Sequence, residues 1–239
     1  LRDALRDAAT DSTQACALRS ALVIAPHPDD ETLGCGAAIA MLACRYDRGL
    51  SYSLSIHGSA EFFHVDSWRL AEKAESATFV RCISSFGRAQ VMAWTAPAHW
   101  PRFHIVHCGI DPALYPPRPE REPGPLRLVT VGRLHPIKGY SVLLEACARL
   151  KEQGVAFSLR MIGSGPEGPA LERQVRERGL SGLVALPGPK SSEEVAAELD
   201  RADAMVISSF MEGVPVVLME AMAKELGVVC TRGGGIPEL

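Results

Sequence analysis

The chain has 239 residues, of which 47% are hydrophobic and 22% are charged, and its formal net charge is −3. This composition is typical of a globular protein with one large domain or two small ones. It has no basic excess of the kind that nucleic-acid-binding proteins carry, and no run of Lys and Arg resembles a membrane-binding patch. We therefore expect small-molecule partners, no nucleic acid and no transmembrane segment.

The seven cysteines are scattered and are never spaced as C-x-x-C. This usage is typical of reduced thiols, so we expect a cytoplasmic protein, with peripheral association at the inner membrane face left open. The longest apolar run, 34–44, ends at Arg45 and is too short to cross a bilayer. Because the chain begins at Leu1 without Met and stops within GGGIPEL, we also expect a fragment.

A helical segment is expected over residues 1–18, and beyond it short β-branched runs alternate with helical patterns. This alternation predicts an α/β fold in which crossover helices join parallel strands. The expected strands cover residues of about 21–25, 51–57, 79–82, 103–107, 126–131, 157–162, 183–186, 204–208 and 227–230.

The stretch IAPHPDDETLGCG, residues 24–36, resembles the LmbE-like (PIG-L) zinc-dependent de-N-acetylases of N-acetylglucosaminyl compounds. The resemblance, which spans about residues 19–45, implies that His27 and Asp30 are zinc ligands and that Asp29 is the general base. A catalytic zinc needs a third protein ligand, and no later histidine lies in a motif of that family. The alternative interpretation is a strand followed by a helix-capping loop.

The alternation of strands and helices breaks at DPALYPPRPEREPGP, residues 111–125, where six prolines favour an extended connection. We place a Pro-rich linker at 116–125. It would separate a first α/β region, 19–115, from a second α/β domain, 126–239.

After this linker, the stretch LRLVTVGRLHPIKGYSVLLEACARL predicts a strand, a turn and a helix. The turn carries Gly132 and Arg133, and Lys138 directly precedes the helix. Cations and free backbone N–H groups at the carboxyl end of a strand fit a diphosphate, although surface loops often hold such residues without function. The apolar face of the helix is predicted to consist of Val142, Leu143, Ala146 and Leu150.

Two further loops contain candidate ligand-binding residues. Gly163 and Gly165 follow the next predicted strand, where glycines let the backbone approach a ligand. In EGVPVVLME, Glu212 lies in a loop and Glu220 within the following helix, while the amides of Gly213 and Val214 face an anion. Glu212 could instead cap the helix, and Glu220 could be a solvated surface residue.

From about residue 51 onward, the chain resembles the retaining glycosyltransferases of family 4 (glycosyl transferases group 1), which have the GT-B fold of two Rossmann-like domains. Seven motifs occur in the order of that family. They are SIHGSAEF, RCISSFGRAQ, HIVHCGIDPALY, VGRLHPIKG, MIGSGPE, EGVPVVLME and GGGIPEL. The sequence departs from the family pattern at Lys224-Glu225-Leu226, which replaces a small, glycine-containing turn.

The resemblance implies a role for each matching residue. Arg133 and Lys138 would hold the donor diphosphate, with Gly132 and Gly165 beside it, and Glu220 would bind the ribose hydroxyls. Glu212, with Gly213 and Val214, would bind the transferred sugar, and His57 would lie near the reacting centre. Such enzymes need no obligatory metal or other cofactor, because cationic groups stabilise the leaving diphosphate.

The resemblance therefore implies a GT-B glycosyltransferase with an incomplete Rossmann-like N-terminal region, 19–115, and a nearly complete but truncated nucleotide-sugar-binding Rossmann-like domain, 126–239. It would transfer a sugar from a nucleoside diphosphate sugar to a saccharide or lipid-linked acceptor. A zinc-dependent de-N-acetylase remains the alternative enzyme, with zinc as its cofactor. The third interpretation is a sugar-nucleotide-binding remnant without turnover.

Overall fold

A computed structural model of the chain describes residues 52–58, 62–119 and 124–239. The chain divides into two compact units between His107 and Cys108. The predicted segment 1–18 and the predicted strand at 21–25 lie outside the described residues. Within the described part of the chain, no helix has both the length and the apolar character needed to cross a membrane.

The first unit contains a three-stranded parallel sheet in the order β1-β2-β3. Its elements are β1 (Ser53–Ile56), α1 (Leu70–Ser76), β2 (Phe79–Cys82), α2 (Ser85–Trp94) and β3 (Phe103–Ile105). Ile56, Val80, Val91 and Phe103 are buried between the sheet and these helices. Because the three strands are parallel, their carboxyl ends lie along one edge of the sheet, as in a Rossmann-like unit.

The second unit contains a five-stranded parallel sheet in the order β6-β5-β4-β7-β8. Its strands are β4 (Leu126–Val131), β5 (Phe157–Ile162), β6 (Val184–Gly188), β7 (Ala204–Ile207) and β8 (Gly227–Cys230). Its helices are α3 (Tyr140–Glu152), α4 (Gly168–Glu177), α5 (Ser192–Arg201) and α6 (Val216–Ala223). The α/β prediction with parallel strands is thus confirmed for both units.

Helices cover both faces of this sheet. Leu128 and Val129 are neighbours on β4 and therefore point to opposite faces, where each joins a separate core. Helices α3 and α4 pack on the face of Leu128, and α5 and α6 pack on the face of Val129. The chain reverses its order across the sheet between β4 and β7, and such a switch point opens a crevice at the carboxyl ends of the strands.

The buried face of α3 differs from the predicted one. Val142 is 54% exposed and Ala146 is exposed as well, so the prediction that placed both on the apolar face is wrong. The helix begins at Tyr140, whose large ring is buried and defines the stripe with spacing i, i+3, i+4 and i+7. The buried residues are Tyr140, Leu143, Leu144 and Cys147.

The described part of the Pro-rich stretch belongs to the second unit, which begins at Cys108. Pro112–Leu114 forms a 3₁₀ turn that Asp111 caps, since its Oδ1 accepts a hydrogen bond from Ala113 N at 3.0 Å. Arg118 then bonds to the unit through its backbone and its side chain. The predicted linker therefore starts within this unit, and its residues 120–123 lie outside the described residues.

Helix α6 ends in a Schellman motif at the atypical turn Lys224-Glu225-Leu226. Leu226 N donates to Ala221 O at 3.0 Å, and Glu225 N donates to Met222 O at 3.0 Å. Glu225 occupies the left-handed position with φ +55°, which glycine usually fills. The buried Lys224 ammonium bonds to Asp200 at 2.7 Å. The turn therefore keeps the ordinary helix-ending geometry with a strained non-glycine residue.

Replacing Glu225 with Gly should stabilise the second unit. A side chain in the left-handed region costs about 1–2 kcal/mol, and the greater freedom of glycine in the unfolded chain offsets part of this gain. In urea unfolding, we expect the free energy of unfolding of Glu225→Gly to be about 0.5–1 kcal/mol higher than that of Glu225→Ala, because alanine keeps the Cβ. Equal stability of the two variants would contradict the strain at this position.

An ion pair between a buried carboxylate and a partly exposed guanidinium joins β5 to α5. Arg160 Nε and Nη2 donate to the two oxygens of Glu198 at 2.7 and 2.8 Å, and the Glu198 side chain is only 2% exposed. Burial by itself raises the pKa of Glu198, but the bonds from Arg160 and the charges of Arg160 and Lys190 outweigh burial and lower that pKa below its usual value. Glu198 is therefore an anion in the folded protein at neutral pH.

Glu198→Gln should lower the free energy of unfolding at pH 7 by about 1–2 kcal/mol, because it removes one charge from a paired, buried site. A lowered pKa contributes stability above the ordinary Glu value of about 4.3, and this contribution is lost as the pH falls through the folded-state pKa. The difference from wild type should therefore shrink in urea unfolding at pH 3. Glu172→Gln, at an exposed position on α4, is the matched control and should change little at either pH.

Candidate active site

The loop after β4 carries two candidate cations. Arg133 is exposed and follows Gly132, and Pro136–Lys138 forms a 3₁₀ turn that leads into α3. The turn starts at His135, whose ring nitrogen accepts a hydrogen bond from Ile137 N at 3.4 Å. Proline suits the first position of this turn, because a backbone N–H there would find no acceptor within the turn and proline has none. Lys138 is thus fixed at the start of α3, beside the carboxyl end of β4.

The loop after β5 locks the loop after β4 in place. Leu134 N donates to Ser164 O at 2.9 Å, and Glu167 N donates to Leu134 O at 3.0 Å. A Cβ on Gly165 would lie 2.4 Å from Leu134 O, closer than real contacts allow. In the structure, the need for glycine at position 165 is therefore explained by the contact between the two loops.

The loop after β7 brings a carboxylate to Lys138. Glu212 Oε1 accepts a hydrogen bond from Lys138 Nζ at 2.6 Å and one from Ser209 Oγ at 2.5 Å. The Glu212 and Lys138 side chains are 11% and 23% exposed, so the pair is largely shielded from water. The bond to Glu212 uses one of the three N–H donors of the ammonium, which leaves donors for an anion in the crevice.

Further hydrogen bonds, each with a backbone carbonyl as the acceptor, hold the same loops together. Phe210 N donates to Ile137 O at 2.8 Å, and Ser208 Oγ donates to Lys138 O at 2.8 Å. Gly235 N, in the loop after β8, donates to Glu212 O at 3.0 Å. The loops after β4, β5, β7 and β8 therefore form one connected layer above the sheet.

Glu212 leads directly into α6. Gly213 and Val214 are buried, Pro215 occupies the N-cap position and α6 begins at Val216. The first amides of this helix have no partner within it and carry a partial positive charge. Glu212 precedes this helix and lies in a loop, and Glu220 lies within the helix, as predicted.

Glu220 makes a contact that the sequence analysis did not predict. Tyr115 Oη donates a hydrogen bond to Glu220 Oε1 at 2.9 Å. This bond, followed by burial and the charge of Glu220, raises the pKa of Tyr115 above its usual value. Tyr115 is therefore a protonated donor at neutral pH. In the sequence, Tyr115 was the last residue of the motif HIVHCGIDPALY, but no role was predicted for it.

A second tyrosine lies beneath the site. Tyr140 is 2% exposed, and burial raises the pKa of its hydroxyl well above the usual value. A Cβ on Gly132 would lie 2.9 Å from this hydroxyl, which explains the glycine at that position. Sequence reasoning missed Tyr140 because it follows a glycine at the start of a helix, where no motif distinguishes it from a core residue.

The remaining predicted residues lie elsewhere. His57 follows β1 in the first unit, where its Nε2 lies 2.8 Å from Ser55 Oγ. His27, Asp29 and Asp30 lie outside the described residues, so the predicted zinc half-site stays a prediction. In residues 52–58, 62–119 and 124–239, no group of three or more His, Cys, Asp or Glu side chains could hold a metal ion.

Comparison with known sequences identifies the second unit. The family described as glycosyl transferases group 1 matches residues 115–239. WcaL of Escherichia coli (strain K12), assigned to colanic acid biosynthesis as a glycosyltransferase, is 46% identical over an alignment of 142 positions that covers 56% of this chain and 35% of WcaL. The amylovoran biosynthesis glycosyltransferase AmsK of Erwinia amylovora is 37% identical over an alignment of 164 positions that covers 66% of this chain and 40% of AmsK. The chain thus spans little more than a third of these relatives.

Solved structures show the same fold. Anabaena Alr3699/HepE in complex with UDP and glucose matches with a TM-score of 0.71 at 20% identity, over 87% of this chain and 58% of HepE. The lipopolysaccharide outer core galactosyltransferase WaaB matches with a TM-score of 0.63 at 20% identity, over 86% of this chain and 56% of WaaB. The predicted GT-B type of α/β fold is confirmed. Because the family match covers more than half of its residues, the chain belongs to the glycosyl transferases group 1 family.

Proposed function

We propose that the chain contributes the donor-binding part of a glycosyltransferase, which transfers a sugar from a nucleoside diphosphate sugar to a saccharide or lipid-linked acceptor in polysaccharide biosynthesis. One observation carries the proposal. Arg133 and Lys138 follow β4 and Glu212 follows β7, so all three flank the switch point of the sheet, where α/β folds bind ligands.

The charges of the described site fit a diphosphate leaving group. Lys138 keeps donors beyond its bond to Glu212, Arg133 is exposed on the same loop, and the amides at the start of α6 favour negative charge. As the glycosidic bond breaks, negative charge grows on the diphosphate, and fixed cations lower the energy of that state. We propose that this stabilisation needs no obligatory metal.

The identity of the donor and acceptor is drawn from the relatives. HepE is described in complex with UDP-glucose, so uridine nucleotides are the first probes to test. WcaL and AmsK are named for polysaccharide biosynthesis, which supports a saccharide acceptor. The proposed retaining stereochemistry rests on the family resemblance, with Glu212 at the transferred sugar and His57 near the reacting centre.

Replacing both Arg133 and Lys138 with Ala should weaken UDP binding by about 3 kcal/mol, slightly more than 100-fold, because hydrogen bonds to charged groups are the strong ones. Isothermal titration calorimetry measures the change. Arg173→Ala, at an exposed position on α4, is the control. Unchanged affinity in the double variant would contradict the assignment of the diphosphate site.

The single variants test the role of Glu212. Lys138→Ala should weaken UDP binding more than Arg133→Ala, because it leaves the Glu212 carboxylate without its cation beside the diphosphate. Adding Glu212→Gln to Lys138→Ala should restore part of the lost affinity, since it removes that negative charge. No recovery would show that the carboxylate does not face the bound phosphates.

Glu220→Gln should weaken UDP binding about tenfold, because an amide accepts hydrogen bonds from ribose hydroxyls less strongly than a carboxylate does. Pyrophosphate, which has no ribose, should bind the variant and the wild type equally. Calorimetric titration with both ligands separates the two contributions. An equal loss for pyrophosphate would contradict the assignment of Glu220 to the ribose.

A further inference from the structure

The hydrogen bond from Tyr115 to Glu220 joins residues 105 positions apart in the sequence. The distance of 2.9 Å between Tyr115 Oη and Glu220 Oε1 lies within the range of O–H···O hydrogen bonds, and both side chains are half-buried. The bond therefore fixes the Glu220 side chain from a segment outside the sheet-and-helix core of the second unit.

The backbone around Tyr115 is itself attached to α6 and its surroundings. Arg118 N donates to Lys224 O at 3.2 Å, at the C-cap of α6, and Arg118 Nη1 donates to Ala202 O at 2.9 Å. On the other side of Tyr115, Asp111 caps the 3₁₀ turn Pro112–Leu114. The segment thus follows α6 from Glu220 to its carboxyl end and presents the phenol at a fixed place.

This arrangement leaves part of the carboxylate available. A carboxylate offers about four acceptor positions on its two oxygens, and the phenol takes one of them on Oε1. A free Glu side chain loses conformational entropy when a ligand orders it. A carboxylate that is already ordered binds a pair of neighbouring hydroxyls more tightly, because this loss precedes ligand binding.

We propose that Tyr115 is a positioning residue that orients the Glu220 carboxylate toward the 2′,3′-diol of the donor ribose. This inference rests on the proposed function, in which Glu220 binds the ribose. The phenol acts through Glu220, so its effect depends on the ligand hydroxyls and is absent for ligands that lack them. It makes Tyr115 a determinant of the preference for ribonucleotides.

Calorimetry on the full chain with UDP and 2′,3′-dideoxyuridine 5′-diphosphate tests this inference. Wild type should prefer UDP by at least about tenfold, since the diol bonds to an ordered carboxylate. Tyr115→Phe should reduce this preference to about threefold or less and leave the dideoxy ligand unchanged. In a Glu220→Ala background, Tyr115→Phe should have no further effect on either ligand. Tyr52→Phe, which removes a phenol bonded to Lys73 O in the first unit, is the matched control.

The outcomes separate the two proposals. If wild type binds UDP without preferring it over the dideoxy ligand, the ribose role of Glu220 is wrong, and the positioning role of Tyr115 is wrong with it. If wild type has the preference and Tyr115→Phe keeps it, only the positioning role is wrong. An equal loss of both ligands would show a merely structural role, and tighter UDP binding would show that the phenol competes with the ribose. Either result would overturn the inference.

Discussion

The ion pair between Lys138 and Glu212 connects the two loops on either side of the switch point of the second unit. Parallel strands alone would leave these loops independent, since each strand delivers its own loop to the same edge. The pair, with Ser209 on the same carboxylate oxygen, fixes both loops at once. The position of α6, and with it the place of Glu220, follows from where Glu212 is held.

The described strands could be predicted from the sequence because buried parallel strands are short β-branched runs between turn residues. The motifs also placed Glu212 in a loop and Glu220 in a helix, since Pro215 marks the boundary. The predicted buried face of α3 was wrong at Val142 and Ala146, because periodicity alone does not separate two adjacent apolar stripes. Packing of Tyr140 against the sheet decides between them, and that contact is not local in sequence.

The partners of Lys138 and Glu220 could not be predicted either, because their contacts also join residues that are distant in the sequence. The partner of Lys138 is 74 residues away and the partner of Glu220 is 105 residues away, so no spacing rule connects them. The glycine at position 165 was predicted to allow the approach of a ligand. The structure shows a second reason for glycine, because a Cβ there would lie 2.4 Å from the carbonyl oxygen of Leu134. Both uses require a missing side chain, and only the positions of neighbouring loops distinguish them.

The hydrogen bonds between the loops also limit how this site can be changed by design. Leu134 is bonded on its N–H to Ser164 and on its carbonyl to Glu167, and Phe210 is bonded to Ile137. An insertion or deletion in any of these loops would break the register of bonds in its neighbour. Libraries that aim at a new donor should therefore keep every loop length and vary exposed side chains outside the assigned diphosphate site, such as Phe210, which is 63% exposed.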